Sequence, residues 1–442
     1  MKQILLKILY SLLAYCARRY IKRHDIIVIG ITWSVGKTSC RVIVSEVLKQ
    51  VIINSAIENS DKNIFQTRVY TSPKNFNSEL GLVLSVFQIE DYHPSIKNLL
   101  RFTWDIILKA FFWNKNTDIL IAEYGIDSPG DMEQLLRVSI PDIAVLTKLD
   151  SVHAGNFPWG VREYWAEKWK LLLRVWANVY VNLQDEYSQE QYYLLPDYRE
   201  IGDETEKNFH LVAHKTDIVR MNFEYHGSRI SSNLIWADTM MYIKLWYDIA
   251  KDIGLEIQKQ DQHFHFELQP GRFSFFKKWE HILIDSSYNA APESVKLALE
   301  QIFLLQNNIF SDYKTLIVLG DMRELGDVAE EAHRELAPQL KKVDVLYTVW
   351  PLMYEYLISE LHTLWYAWNL TSSLSARDIW MKLKTYLSKH SDEKYIILFK
   401  GSQNTIYTEE ALAELLPKSE HKKLPRQEKY WKQKKEMFFN EV

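Results

Sequence analysis

Residues 26–39 read IIVIGITWSVGKTS and decide how the first half of the chain folds. The β-branched run at the start is typical of a buried parallel strand, which we expect to break at Gly30. The stretch ends in Gly-Lys-Thr at 36–38, and a helical pattern follows. This is the pattern of a phosphate-binding loop, in which backbone N–H groups, a helix N-terminus and Lys37 hold phosphate oxygens. Thr38 is then placed to hold Mg²⁺.

The composition excludes several classes of protein. A chain of 442 residues with 47% apolar content is long enough for about two or three domains with their own cores. A net charge of -4 argues against a nucleic-acid partner, which calls for a basic excess. The only cysteines, Cys16 and Cys40, give no disulfide framework or metal cluster and suit the reducing cytoplasm.

Residues 3–17 are apolar and are followed by a basic cluster at 18–23. The run is shorter than the roughly 20 residues that a membrane span needs, and it has no small-residue cleavage site typical of a signal peptide. Two interpretations stay open. The segment is an amphipathic helix packed on the first domain, or it makes a peripheral contact with the inner face of the membrane.

Two further strands of the first half end in polar side chains. TDILIAEY at 117–124 is a buried strand ending in Glu123, a carboxylate placed to bind Mg²⁺ or simply a strand-end acid. PDIAVLTKL at 141–149 is followed by His153, which is either a second metal ligand or a solvated loop residue. A helix then carries Lys168.

Pro-Gly-Arg at 270–272 marks a domain boundary. Beyond it, strands are predicted at 281–286, 315–319, 343–349 and 395–400, and helices at 293–306, 329–341, 352–360 and 376–389. This alternation predicts a smaller doubly wound α/β domain. The resulting division is an N-terminal helix at 1–25, a central domain at 26–269, a C-terminal domain at 270–417, and a solvated or loosely docked basic tail at 418–442.

A series of motifs occurs in a recognisable order along the chain. They are GITWSVGKTS (30–39), NFNSELG (75–81), AEYGI (122–126), PDIAVLTKLDSVHAGNF (141–157), AEKWKLLL (166–173), PGRF (270–273), IDSSYNAAPESV (284–295), LGDMRELGDVAEEAH (319–333) and FKGS (399–402). Together they resemble the Mur ligase family, and within it the type that adds D-Ala-D-Ala to a UDP-MurNAc-tripeptide.

The resemblance implies an α/β fold, with a central P-loop parallel-sheet ATPase domain followed by a smaller Rossmann-like domain. It also implies ATP-dependent amide-bond formation in peptidoglycan precursor synthesis by a cytoplasmic monomer. In that reaction a carboxylate attacks the γ-phosphate of ATP, and an amine then displaces phosphate from the acyl phosphate. The protein's task is mainly positioning and charge neutralisation.

The resemblance also implies roles for individual residues. The nucleotide contacts are Gly30, Thr32, Ser34, Gly36, Lys37, Thr38, Ser39, Arg272, Asp285 and Asn289. Catalysis falls to Lys37, Lys168, Asp321 and Lys400. The substrate contacts are Asn75, Asn77, Glu79, Tyr288, Glu324 and Ser402. The ligands of two Mg²⁺ ions are Thr38, Glu123, His153 and Lys168, the last as a carbamylated lysine.

The chain departs from the family pattern in three respects, the third of which is a set of tryptophans described below. Only about 25 residues precede the first strand, whereas the resemblance implies an additional N-terminal domain that holds the uridine diphosphate. In LIWAD at 234–238, the family has glycine in place of Trp236 and histidine in place of Asp238. The muropeptide substrate is therefore less firmly implied than the reaction type.

Tryptophan stands at four turn or loop positions where the family has glycine: Trp33, Trp236, Trp279 and Trp350. The chain has 14 glycines and 15 tryptophans. We hypothesise that the gene is read with UGA as glycine, because glycine permits positive φ and close backbone approach to phosphate and tryptophan does not. The alternative is a catalytically degenerate homologue that binds ATP weakly.

Three functions stay open at this point. The first is the D-Ala-D-Ala ligase, which the YNAAP and GDMRELG motifs favour. The second is a related ligase for another acceptor, as in folylpolyglutamate or cyanophycin synthetases. The third is a binding protein that keeps the fold without catalysis.

Overall fold

The computed structural model places the chain in two compact units. It describes residues 2–32, 37–59, 67–71, 76–90, 96–147, 149, 156–175, 178–195, 197–201, 209–255, 257, 259–323, 325–364, 369–402 and 405–441. The first unit consists of Met1–Asn208, Phe223–Ile230 and Ala237–Phe266, and the second of Phe209–Asn222, Ser231–Trp236 and Glu267–Val442.

The first part of the chain alternates helices and strands. In order they are α1 (Lys2–His24), β1 (Ile27–Thr32), α2 (Lys37–Asn59), β2 (Val69–Thr71), α3 (Glu79–Val86), α4 (Ile96–Phe112), β3 (Ile119–Glu123), α5 (Asp131–Val138), β4 (Ile143–Leu146), α6 (Val161–Leu173), β5 (Val179–Asn182), α7 (Glu186–Gln191) and β6 (Arg199–Ile201). The strands form a parallel sheet in the order β2-β3-β1-β4-β5-β6. Strand β1 lies where the order reverses, the point at which such sheets bind ligands.

Strand β1 does not break at Gly30, as we had expected, but continues to Thr32. A Cβ atom on Gly30 would lie 2.8 Å from Cγ of Pro141 and 2.9 Å from Cε2 of Tyr124. This glycine is therefore required for close packing within the sheet, and it does not end the strand.

Helix α1 packs through one face on the rest of the first unit, as the first interpretation of the N-terminal segment predicted, and this packing leaves its other face exposed. Leu13, Cys16, Ala17 and Tyr20 are buried on one face of α1. The Tyr20 hydroxyl donates a hydrogen bond to the carbonyl of Asn114 at 3.1 Å. Within the described residues, no helix combines the length and the apolar character needed to span a bilayer.

The polar stretch that follows β6 forms three strands. The elements from this stretch to residue 264 are β7 (Phe209–His214), β8 (Ile218–Tyr225), β9 (Ser228–Ser232), α8 (Ala237–Asp252) and β10 (Gln262–Phe264). The strands form a sheet in the order β10-β9-β8-β7. In β7 every side chain is exposed or half-buried, so apolar alternation gives no strand signal there.

The second unit has the predicted doubly wound fold. Its elements are β11 (Ser274–Lys278), β12 (His281–Ser286), α9 (Pro292–Asn308), β13 (Lys314–Gly320), α10 (Ala329–Arg334), α11 (Ala337–Leu340), β14 (Val345–Val349), α12 (Ser359–Thr363), β15 (Leu370–Ser373), α13 (Ala376–Lys389), β16 (Tyr395–Lys400), α14 (Thr408–Ala413) and α15 (Lys429–Glu441). The sheet order is β11-β12-β16-β13-β14-β15, with β11 antiparallel and the other pairs parallel.

The C-terminal segment is not the solvated or loosely docked tail that its charge predicted. Helix α15 carries Lys435, which is 3% exposed at its side chain and pairs with the fully buried Glu409 at 2.9 Å. Phe438 stacks on Trp350 with ring centroids 5.8 Å apart. The basic composition did not predict this docking, because composition does not show that the buried cations pair with acidic side chains on α14.

Two of the four unusual tryptophans have a backbone conformation that favours glycine. Trp279 has φ of 52° and Trp350 has φ of 85°, a region in which an L-residue with a side chain is strained. Trp279 occupies the first position of the two-residue loop between β11 and β12, where glycine is preferred when φ is positive. Trp236 does not have positive φ, and Trp33 lies outside the described residues. The glycine hypothesis thus gains conformational support at two positions.

We predict that Trp279→Gly raises the free energy of unfolding by about 0.5–1 kcal/mol, because it relieves left-handed strain at an exposed turn. Urea denaturation measures the change. Trp159→Gly is the matched control, since Trp159 is also exposed and its φ is not positive. A gain for Trp159→Gly equal to that for Trp279→Gly, or a loss at both positions, would contradict the strain argument.

Candidate active site

The carboxyl end of β1 has the strand-then-helix arrangement that we predicted for a phosphate-binding loop, because α2 begins at Lys37. Thr32 is fully buried, and its hydroxyl donates a hydrogen bond to the carbonyl of Tyr124 at 2.9 Å. Thr32 therefore ties β1 to the chain that follows β3. The loop residues Ser34 and Gly36, and the side chains of Lys37, Thr38 and Ser39, lie outside what the structure describes.

Glu123 ends the strand next to β1, in register with Ile31. Its side chain is largely buried, and its Oε1 accepts a hydrogen bond from Nδ2 of Asn77 at 3.4 Å. Its Oε2 is buried and has no hydrogen-bond partner among the described residues. A buried carboxylate oxygen is costly without a partner, and a hard cation is a suitable one. Glu123 therefore fits the expected Mg²⁺ ligand.

Asn77 joins two of the sequence motifs. Its carbonyl accepts a hydrogen bond from the N–H of Gly125 at 3.1 Å, and a Cβ on Gly125 would lie 2.7 Å from Nδ2 of Asn77. Glu79, in the first turn of α3, is half-buried; burial raises the pKa of this carboxyl and the charge of Arg137 opposes the rise. Asn75 lies outside the described residues.

Lys168 on α6 is fully buried, with its Nζ 4.8 Å from the ring centroid of Tyr164. The adjacent Glu167 has a different task, because its Oε1 accepts hydrogen bonds from the N–H groups of Gly130 at 3.1 Å and Met132 at 3.0 Å. Glu167 thereby holds the start of α5. His153 lies outside the described residues, within which no cluster of three or more His, Cys, Asp or Glu side chains could hold a metal.

In the second unit, Lys400 ends β16, and it is buried beside the end of β12. Its ammonium donates hydrogen bonds to the carbonyl of Asn289 at 2.9 Å and to the hydroxyl of Ser286 at 3.4 Å. Burial lowers the pKa of Lys400 to about 7, with a further lowering by the charge of Arg272 and an opposing effect of Asp285. A desolvated cation of this kind gains most from a bound anion.

Asp285 at the end of β12 is fully buried. Its Oδ1 accepts hydrogen bonds from the N–H of Ser287 at 3.0 Å and from its hydroxyl at 2.6 Å. Its Oδ2 has no hydrogen-bond partner among the described residues. Burial raises the pKa of Asp285 to about 6, against the effect of the Ser287 hydrogen bonds. The carboxyl therefore retains one oxygen for a ligand.

Arg272 lies over the ring of Tyr288, 4.2 Å from its centroid. Gly271 has φ of +78°, and its carbonyl accepts a hydrogen bond from the N–H of Tyr288 at 3.0 Å. The PGRF motif is thus attached directly to the loop that carries the exposed side chain of Asn289. The structure brings Arg272, Asp285, Tyr288, Asn289 and Lys400 together.

The geometry of Asp321 favours a supporting role over the catalytic role that we expected. Its two carboxylate oxygens accept hydrogen bonds from the N–H groups of Met353 at 2.8 Å and Leu352 at 3.2 Å. Ser402 likewise links loops, since its hydroxyl accepts a hydrogen bond from the N–H of Arg323 at 2.9 Å. Both oxygens of Asp321 are therefore occupied by backbone groups. Glu324 lies outside the described residues.

The sequence did not identify one residue that contacts the loop at 287–289, which follows β12. Arg426 donates hydrogen bonds to the carbonyls of Ser287 at 2.7 Å and Tyr288 at 3.3 Å. It lies in the basic segment that we had assigned to a tail. Its one distinguishing sequence feature is a position after Pro425, and that signal is too weak to identify it.

We predict that the buried charge of Lys400 makes stability depend on pH. The pKa of this lysine is about 7 in the folded protein against 10.5 as its ordinary value, so between these values the unfolded chain binds more protons and stability rises with pH. The unfolding free energy of the wild type should rise, relative to Lys400→Met, by about 1 kcal/mol per pH unit from pH 7 to 10.

Urea denaturation at a series of pH values measures this difference. Lys341→Met, at an exposed position, serves as the control and should leave the slope unchanged. Parallel stability curves for the wild type and Lys400→Met would contradict the buried charge.

Comparison with known proteins identifies two domains of one family. Residues 31–235 match the Mur ligase middle domain, and residues 271–403 match the domain described as Mur ligase, glutamate ligase domain. The UDP-N-acetylmuramoyl-tripeptide–D-alanyl-D-alanine ligase of Bacillus subtilis (strain 168) is 24% identical over 346 residues, which cover 75% of this chain and 64% of that protein. The chain thus spans less than two thirds of the length of this relative.

Solved structures show the same fold. The crystal structure of MurF from Acinetobacter baumannii has a TM-score of 0.68 at 20% identity, covering 92% of this chain and 79% of that one. MurF from Thermotoga maritima in complex with ADP has a TM-score of 0.64 at 21% identity, covering 92% and 83%. The domain matches and the fold together show that the chain belongs to the Mur ligase family.

Proposed function

We propose that this protein is an ATP-dependent amide ligase that adds D-Ala-D-Ala to a UDP-MurNAc-peptide during peptidoglycan precursor synthesis. The observation that carries the proposal is the buried ammonium of Lys400 at the carboxyl end of β16, beside Asn289 and Arg272. Such a group favours an anion in a site that excludes water. The name of the Bacillus subtilis relative supports this pair of substrates.

The proposed reaction has two steps. A carboxylate oxygen of the peptide attacks the γ-phosphorus of ATP, and the bond to the bridging oxygen breaks to release ADP. The amine of D-Ala-D-Ala then attacks the carbonyl carbon of the acyl phosphate, loses a proton and expels phosphate. Lys37 and the N-terminus of α2 hold the phosphates of ATP. Lys400 offsets the negative charge of the acyl phosphate.

We propose that Glu123 binds Mg²⁺, because its Oε2 is buried without a hydrogen-bond partner among the described residues. Thr38, His153 and a carbamylated Lys168 would complete the sites of two ions. Mg²⁺ supplies neutralisation of charge on the phosphate oxygens of ATP. The full burial of Lys168 supports its use as a carbamate, since burial favours the uncharged amine, which is the form of lysine that can be carbamylated.

We predict that Glu123→Gln lowers kcat for phosphate release by roughly 100-fold, because the remaining amide binds a cation poorly. The assay contains ATP, Mg²⁺, UDP-MurNAc-tripeptide and D-Ala-D-Ala. Glu133→Gln, which alters a surface carboxylate paired with Arg174, is the control and should keep full activity.

The same assay separates the alternatives. Phosphate release only with another acceptor or amine would favour a ligase of the folylpolyglutamate or cyanophycin type. The absence of ATP turnover with any pair would favour a degenerate homologue and would make Trp33 the first residue to replace with glycine.

We also propose that the protein acts in the cytoplasm as a monomer that touches the inner face of the membrane through α1. The exposed face of α1 carries Ile8, Leu12 and Tyr15, followed by the basic cluster at 18–23. On α4, Trp104 and Phe112 are also exposed. Apolar and aromatic side chains next to basic ones are typical of helices that lie on anionic lipid surfaces.

Co-sedimentation with vesicles tests this contact. The wild type should bind vesicles that contain anionic lipid, and the Ile8→Glu/Leu12→Glu double variant should lose most of that binding. Tyr193→Glu/Leu194→Glu, which alters apolar side chains exposed elsewhere, should bind as the wild type does. Equal binding by both variants, or no binding by the wild type, would contradict the contact.

A further inference from the structure

A cluster of buried charges joins the C-terminal segment to the second unit, beyond the range of the domain match at 271–403. Nε and Nη2 of Arg426 donate hydrogen bonds to the two carboxylate oxygens of Glu409 at 2.7 and 2.6 Å. Lys435 contacts the same carboxylate at 2.9 Å. We call Arg426, Glu409 and Lys435 the C-terminal brace.

The free N–H groups of this guanidinium point at the loop after β12. Nη2 of Arg426 donates to the carbonyl of Ser287 at 2.7 Å, and Nη1 donates to the carbonyl of Tyr288 at 3.3 Å. The next carbonyl, that of Asn289, accepts from Lys400 at 2.9 Å. Three successive carbonyls of the loop are therefore bound by cationic side chains. Arg426 binds those of Ser287 and Tyr288, and Lys400 binds that of Asn289.

The brace is formed by buried side chains with well-defined contacts. Glu409 is fully buried, and Arg426 is 8% exposed. A planar guanidinium can bind a carboxylate with two N–H groups and still donate to two carbonyls, which the ammonium of a lysine cannot do in one geometry. The fit is also tight, since a Cβ on Gly271 would lie 3.0 Å from Cγ of Pro425 and 2.8 Å from the backbone nitrogen of Tyr288.

We propose that Arg426 is a positioning residue for nucleotide binding, and that it fixes the loop at 287–289 so that Tyr288 stays beneath Arg272 and Asn289 stays available to the nucleotide. This inference rests on the proposed function. Arg426 acts through the loop and makes no contact with the reacting atoms. Glu409 neutralises the charge of Arg426, and Glu410, which accepts a hydrogen bond from Lys435 at 2.7 Å, neutralises the charge of Lys435. The brace together with Glu410 therefore holds the loop without adding net positive charge beside Lys400.

The Arg426→Lys variant tests this role in the full chain, with ADP as the probe. Amides at 288–290 should exchange hydrogen about 10-fold faster, and the Kd for ADP by calorimetry should rise about 10-fold, since the charge remains and the carbonyl contacts are lost. In the ligase assay, KM for ATP should rise while kcat at saturating ATP stays within about 2-fold of the wild type.

Arg377→Ala is the matched control, because Arg377 pairs with Glu436 on α15 at 2.6 Å on the exposed surface and does not contact the loop. It should exchange hydrogen and bind ADP as the wild type does. If Arg426→Lys fails to fold, Glu409→Gln keeps the shape of the brace and is expected to show the same direction of change.

Wild-type exchange and wild-type Kd in a folded Arg426→Lys protein would overturn the proposal, as would an equal effect of Arg377→Ala. A lower melting temperature with unchanged Kd would also overturn it, because that is the result of a purely structural role. If no acceptor and amine support turnover, the proposed ligase function fails, while loop exchange and ADP binding still decide the role of Arg426.

Discussion

Burial of the Lys400 ammonium is the constraint on which the group of candidate site residues in the second unit depends. It lies at the end of β16, in register with Ser286 on β12, so two neighbouring parallel strands bring it to the loop that carries Asn289. Burial of this cation opposes folding because it removes the charge from water. A bound phosphate oxygen would offset that cost, because its negative charge interacts with the buried cation. A group that destabilises the unliganded protein thus strengthens the binding of an anion.

The same principle applies to the carboxylates. Glu123 in the first unit and Asp285 in the second each have a buried oxygen with no hydrogen-bond partner among the described residues. Each lies at or next to the carboxyl end of a strand, where parallel sheets place their ligands. Other hydrogen bonds near these groups fix the backbone. The carbonyl of Asn77 holds the loop after β3, and the carboxyl of Asp321 holds the chain at Leu352 and Met353.

Much of this architecture could be predicted from the sequence. Buried strands such as those ending in Glu123 and Lys400 are continuous apolar runs, and motif order placed Arg272, Tyr288 and Asn289 in one site. Side-chain contacts could not be predicted. A catalytic carboxylate and one that accepts backbone N–H groups look identical in sequence, so Asp321 was assigned a role that its contacts do not favour. Arg426 was missed because its partner Glu409 is buried by tertiary packing that composition does not reveal. The positive φ angles of Trp279 and Trp350 agree with the hypothesis, made from the sequence, that glycine occupies these positions.

Ligation through an acyl phosphate can be tested by following oxygen atoms from substrate to product. UDP-MurNAc-tripeptide labelled with ¹⁸O in its reacting carboxylate is incubated with ATP, Mg²⁺, D-Ala-D-Ala and the protein, and the released phosphate is analysed by mass spectrometry. We expect one ¹⁸O atom in each phosphate, because the attacking carboxylate oxygen leaves with phosphorus. Phosphate released without ¹⁸O would contradict it.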